Sequence, residues 1–284
     1  MAKTQDLKRR IRSVRNTMQL TKAMKMVAAA KLRRAQDRIL NARPYARRIL
    51  RVLQSLAART EPEAHPLLQL RGDQRIELVV VTADRGLCGG FNAGIIRTAV
   101  SFAEQQAGRD VRFNAVGKKG ADFLRGHYEV IERWNDVFRR VEFAKAREIA
   151  AALMGRYVEG EVDRIFLVYN EFKSAIQAKP TVQRLLPVEP EEFDKGQTPR
   201  DYLYEPSADA LFGALLPHYV ENQVFHAMLE SAAAEHAARM TAMDSASNNA
   251  AELIDSLTLT MNRVRQAAIT TEIIEVVSGA EALS

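Results

Sequence analysis

Residues 3–57 read KTQDLKRRIRSVRNTMQLTKAMKMVAAAKLRRAQDRILNARPYARRILRVLQSLA, with no glycine and a single proline, Pro44. Apolar or small residues recur at Leu7, Ile11, Val14, Met18, Thr21, Met24, Ala28, Leu32, Ala35, Ile39, Ala42, Ala46, Ile49 and Leu53. The steps are threes and fours and average about 3.5, the period of a coiled-coil seam rather than of a globular helix face. Pro44 is expected to kink this helix or split off its last section.

The other end of the chain carries a matching pattern. Ser207 follows Pro206 and is the expected N-cap, with Asp209 in the first turn. From there to Val277 the only breakers are Gly213 and Pro217. A seam runs through Met240, Met243, Ser247, Ala250, Ile254, Leu257, Met261, Val264, Ala268 and Thr271. At ~1.5 Å per residue, about 70 residues span on the order of 100 Å. A stripe that long cannot be buried on a compact domain. It needs a partner helix, and the N-terminal helix is the expected one. Two separate amphipathic helices on a globular core are the alternative.

Charge divides along the same lines. Of the 284 residues, 1–60 hold 17 Lys and Arg against two acids, a net of +15, whereas 207–284 hold three bases and ten acids, a net of −7. The segment between them is nearly neutral, so the formal charge of +6 conceals a basic arm and an acidic arm. Opposite charge favours pairing of the two helices, although exposed ion pairs are each worth only ~0–1 kcal/mol.

The middle alternates strand and helix. Ile76–Thr82 is an almost wholly apolar run, as in a buried parallel strand. Further strands are expected at Val111–Val116, Arg164–Asn170 and Thr181–Leu186, and helices at Phe91–Gln106, Lys118–Arg125 and Glu142–Val158. This predicts a small parallel or mixed sheet covered by helices. Residues 187–206, rich in proline and acids, form a connector. The expected organisation is an N-terminal coiled-coil helix over 1–57, a central α/β, Rossmann-like domain over 75–190 and a C-terminal coiled-coil helix over 207–284.

Little in the chain reads as catalytic. The loop ADRGLCGGFNAG, residues 83–94, sits where a dinucleotide-binding turn would sit, but its glycines do not follow G-x-G-x-x-G. Gly117-Lys118-Lys119-Gly120 has the wrong order for a phosphate-binding loop. Cys88 has no local histidine signature and reads as a small packing residue at a turn. Asp84 and Arg85 read as an ion pair or cap, and Glu189, Glu191, Glu192 and Asp194 as a solvated acidic loop. One cysteine excludes an intramolecular disulfide, and the five scattered histidines lack metal-ligand spacing. Neither catalytic, cofactor-binding nor metal-ligating residues are expected. No stretch approaches the ~18 apolar residues of a membrane span, and the first residues lack a signal peptide's apolar core. The basic arm suggests nucleic acid, but residues 1–44 contain no aromatic residue to stack on bases. An acidic protein surface around the coiled coil is the preferred partner for those cations.

Three stretches carry a family resemblance. IRSVRNTMQLTKAMKMVAAAK at 11–31, TADRGLCGGFN at 82–92 and Arg263–Gly279, which contains RQAAITTE and EIIEVVSG, closely resemble the F-type ATP synthase gamma subunit of bacteria. DYLYEPS at 201–207 fits the same family, and the likeness covers essentially the whole chain. The chain lacks the additional cysteine-bearing segment of the chloroplast form. The resemblance implies an antiparallel left-handed coiled coil that acts as a non-catalytic rotor shaft inside a ring of three alpha and three beta subunits. It implies that the α/β domain meets the epsilon subunit and the membrane c-ring, and that proton flow drives the shaft. The place implied is the cytoplasmic face of the inner membrane, peripherally bound. It further implies that Arg265, Gln266 and Thr270 bond a loop of beta, that Arg239 and Glu275 are torque contacts, and that Met24 and Lys25 lie near an acidic beta loop. A free-standing nucleic-acid-binding coil and a small α/β enzyme are the competing readings.

Overall fold

The computed structural model describes residues 2–57, 65–174, 177–188, 205 and 207–281. In chain order the elements are α1 (Ala2–Ala57), β1 (Arg75–Val81), α2 (Phe91–Gln105), β2 (Asp110–Val116), α3 (Lys118–Leu124), β3 (Val130–Trp134), α4 (Phe143–Val158), β4 (Arg164–Phe172), β5 (Ala178–Leu186) and α5 (Ala208–Glu281). The chain packs as two units, Met1–Ala28 with Arg239–Ser284, and Ala29–Ala238. The acidic loop at 189–194 and most of DYLYEPS lie outside the described residues.

The first unit is a pair of helices. The Thr21 and Ser247 hydroxyls lie 2.7 Å apart in its buried seam, and Lys25 Nζ donates to Asp244 Oδ1 at 2.6 Å. The number rises along α1 as it falls along α5, so the pair is antiparallel. Carried along the heptad steps, this register sets Met18 opposite Ala250, Val14 opposite Ile254, Ile11 opposite Leu257 and Leu7 opposite Met261. Each of these residues is buried or half-buried, as the seam requires. Thr271, the last expected seam position, is exposed.

The second unit is built on a five-stranded sheet of order β3-β2-β1-β4-β5. The pairs β1–β2, β1–β4 and β2–β3 are parallel, and β5 runs antiparallel beside β4. The sheet is therefore mixed. Strand β3 had no counterpart in the sequence reading. Its residues, VIERW, alternate half-buried and exposed side chains up to the buried Trp134 at a sheet edge, so no continuous apolar run marks it. Central β1 has covered faces. Ile76, Leu78 and Val80 join Phe91, Ile95 and Ala99 of α2, Leu124 of α3 and Ala234 of α5 in one core. The small side chains around Ala234 let the α5 backbone approach closely. Pro44 does not split α1, which is one assigned helix. Pro44 and Leu40, four residues before it, are exposed, so water can satisfy the carbonyl that proline leaves unbonded.

On the opposite face, an acid interrupts the apolar run of β1. Glu77 is buried and accepts from Arg156 Nε of α4 at 3.0 Å and from Asn114 Nδ2 of β2 at 2.8 Å. Arg156 also donates to Glu132 of β3 at 3.2 Å and to Asn114 Oδ1 at 3.3 Å. Burial disfavours the Arg156 charge, but the bonds to Glu77 and Glu132 outweigh that, and its pKa lies above the ordinary value. One guanidinium thus ties α4 to three strands. Removing it would strand a buried carboxylate, so Arg156→Met is expected to cost ~3–5 kcal/mol in urea unfolding. Arg156→Met with Glu77→Leu should recover much of that loss. A single variant as stable as the unchanged chain would show that the network contributes nothing.

A second carboxylate fixes the beginning of the sheet. Asp163 accepts from the Arg75 and Gln74 amides at 2.9 and 3.0 Å and from the Arg75 guanidinium at 2.7 Å, joining the segment before β4 to β1. Burial pushes its pKa up, yet these donors more than compensate and hold it below the ordinary carboxylate value. The folded pKa is depressed, so the stabilisation is present above the unfolded value and fades as pH falls through the folded one. Asp163→Asn should therefore lose roughly 2–3 kcal/mol near neutrality, with the difference from the unchanged chain shrinking below about pH 4. Denaturant midpoints at pH 7 and pH 3 measure this, and a constant difference would refute it.

Candidate functional site

Two regions had been singled out by sequence: the loop after β1 and the far end of α5. In the loop, the groups are consumed by the fold itself. Asp84 accepts from the amides of Lys118, Asp136 and Phe138 at 3.0–3.1 Å, so it is a cap for α3 and for the turn after β3. No ion pair joins it to Arg85 among the described residues. Thr82 Oγ1 accepts from the Gly120 amide at 2.8 Å. Gly117 has φ +98°, and a Cβ there would lie 2.0 Å from the Thr82 carbonyl oxygen, so only glycine closes this turn. Cys88 is buried and takes a bond from Asn92 Nδ2 at 3.3 Å, as expected of a packing residue.

In an open parallel sheet, ligands enter the crevice beyond the strand C-termini where the strand order reverses. Here that position lies between β1 and β4. Beyond the last β1 pairing, β4 continues along α5: the Asn170 amide donates to Ser231 Oγ at 3.2 Å and the Phe172 amide to Glu230 Oε2 at 2.8 Å. These two β4 amides are taken by side chains of α5. Among the described residues no group of three or more His, Cys, Asp or Glu could hold a metal ion.

The end of α5 is different. The register that pairs Thr21 with Ser247 brings α1 to its first residue near position 266 of α5. Beyond that point α5 has no partner from α1. Every side chain described from Ile269 to Ser278 is exposed, including Ile269 at 47%, Ile274 at 58% and Val276 at 72%. Farther back in the same unit, Leu20, Met26, Val27 and Leu259 also turn outward, away from the seam. Large apolar groups left open in this number mark a surface that associates with something. These residues were missed as a set by sequence reasoning. Their signal was available, since each is apolar and falls off the heptad seam.

The named contact residues fall on these faces. Arg265 and Gln266 are exposed, and the Thr270 hydroxyl donates to the Gln266 carbonyl at 3.0 Å within the helix. Glu275 is exposed near the end of the described helix. Met24 and Arg239 are half-buried. Lys25 is half-buried and held by Asp244, so part of its charge is spent within the coil.

A coiled coil made from the two ends of one chain, with a central sheet whose β4 is hydrogen-bonded to the long C-terminal helix, defines a shaft-type structural subunit. Known proteins agree. The ATP synthase family model matches residues 3–283. The ATP synthase gamma chain of Desulfitobacterium hafniense is 50% identical over the whole of both chains, and that of Moorella thermoacetica is 49% identical over the whole of both. Among solved structures, the central stalk and c-ring of the Tetrahymena thermophila mitochondrial ATP synthase is matched over 80% of this chain and 99% of the other, with 28% identity and a TM-score of 0.61. The rotor of the Euglena gracilis enzyme shares the fold at a TM-score of 0.66 and 20% identity, over 94% of this chain and 99% of the other. The chain belongs to the ATP synthase gamma chain family. Its role is that of the rotor shaft, and it is not the catalytic subunit.

The register can be tested through the buried hydroxyl pair. Thr21→Val removes the hydroxyl facing Ser247, which keeps its bond to the Met243 carbonyl at 2.8 Å, and should cost roughly 0.5–1.5 kcal/mol. Combined with Ser247→Ala, the loss should largely disappear, because both polar groups are then gone. Thermal unfolding of the two variants measures this, and additive losses would mean the two residues are not neighbours.

Proposed function

We propose that this chain is the gamma subunit of a bacterial F-type synthase that couples proton flow through a membrane sector to ATP synthesis and hydrolysis on beta subunits. The observation that carries the reading is the apolar, partnerless stretch of α5 after residue 268, together with the outward-facing apolar residues of α1. A shaft turning inside a sleeve needs such a surface. A ring of three alpha and three beta subunits is the proposed sleeve, with epsilon and the membrane c-ring as partners of the sheet unit. The asymmetric shaft acts by making different contacts with each beta subunit, which shifts each site's conformational equilibrium in turn. Arg265, Gln266 and Thr270 are proposed to bond a beta loop, with Arg239, Glu275, Met24 and Lys25 as further coupling contacts. No described helix is long and apolar enough to cross a membrane. Peripheral attachment at the cytoplasmic face of the inner membrane is accordingly the proposed location, and the net +15 of residues 1–60 suits an acidic protein surround.

The test is reconstitution with the other subunits in vesicles. The chain should co-purify with a three-plus-three ring that hydrolyses ATP. Met24→Lys adds a cation at a proposed beta contact. It should lower ATP-driven proton pumping per ATP by roughly tenfold, a change equal to about 1.4 kcal/mol in state preference, while hydrolysis continues. Met24→Leu should pump normally. Full coupling in Met24→Lys would remove that residue from the contact set.

A further inference from the structure

Away from the coiled-coil ends, the second unit holds a cleft of about 160 Å³ whose rim is strongly cationic. Lys31, Arg34 and Arg38 supply one side, spaced three and four apart on one face of α1. Arg139 and Arg140, at the end of the short turn after β3, supply the other. Val141 and Ala232 line the cleft between them. Arg38 donates to the Val141 carbonyl at 3.5 Å, and Arg140 is paired with Glu142 at 3.2 Å. Among the described residues, no carboxylate is paired with Lys31, Arg34 or Arg139. Five cationic side chains therefore line a small concavity, and among the described residues Glu142 alone is ion-paired with one of them. Their mutual repulsion is relieved by an anion seated between them.

We propose that this cleft is a binding site for a di- or triphosphate group. The chemistry favours phosphate over a protein carboxylate on two grounds. A cleft of about 160 Å³ matches the size of a compact polyanion. Guanidinium groups on opposite walls also present forked donors that match the oxygens of a phosphate chain bidentately, where one carboxylate could satisfy only one of them. The phosphate chain has two sources, free polyphosphate or the tail of a nucleotide. The site shares no residue with the loop after β1, and it does not rest on the rotor assignment.

Isothermal titration of the full chain with inorganic pyrophosphate, at low ionic strength, tests this. One saturable event per chain is expected, weakening as salt screens the rim. Arg34→Gln with Arg139→Gln should lower the affinity by about tenfold or more through loss of two charge-assisted contacts. Circular dichroism on that variant checks that the exposed changes leave the fold intact. Arg12→Gln with Arg15→Gln removes an equal charge from exposed α1 surface elsewhere and should change nothing. ATP binding no tighter than an inorganic triphosphate would name the phosphate chain as the whole ligand, and tighter ATP binding would name a nucleotide. The proposal is overturned by an absence of saturable heat. It is equally overturned by the same weakening in Arg12→Gln with Arg15→Gln, or by a glutamate-rich peptide that binds the rim more tightly than either phosphate compound.

Discussion

The burial of one narrow apolar seam between two helices from opposite ends of the chain is the constraint on which the rest depends. Neither helix could be stable in water at that length with its stripe exposed, because most helical stability in proteins comes from packing rather than from propensity. The pairing also fixes a register. A seam hydroxyl pair at Thr21 and Ser247 and an ion pair at Lys25 and Asp244 lock it at two neighbouring steps. The ion pair is about half exposed on both sides and adds little energy, so its value lies in specificity of alignment.

A register fixed in this way has an arithmetic consequence. α1 ends before α5 does, and α5 then runs on with isoleucines and valines facing solvent. In an isolated soluble protein this would be an aggregation liability. In a shaft such a face is the proposed working surface, and it lies within Arg263–Gly279, one of the stretches that carry the family resemblance.

The sheet unit shows how a nucleotide-binding topology is turned to a structural use. Its strand order offers a ligand crevice, and beside it Ser231 and Glu230 of α5 are bonded to β4 amides. Asp84, a residue type often found in catalysis, spends its lone pairs on three backbone amides instead. The same economy appears in Glu77 and Arg156, where charge holds a helix to strands and serves no substrate.

The two long helices, their seam and most strands were legible in sequence because each rests on a local period. Heptad spacing, an apolar run such as ELVVV or a cap at Ser207, whose Oγ accepts from the Ala210 amide, needs no knowledge of distant residues. Edge strand β3 was not legible, since alternating half-exposed residues carry too weak a signal. Nor was the meeting of Lys31 and Arg34 with Arg139, or of Glu77 with Arg156, because residues about eighty or a hundred positions apart are brought together only by the sheet's strand order and by antiparallel register. By itself, then, the sequence determined all the elements but β3, the coiled coil and the family. Which polar groups are consumed by the fold and which remain open was decided by tertiary structure, because hydrogen-bond satisfaction is a property of neighbours in space and not of neighbours in chain.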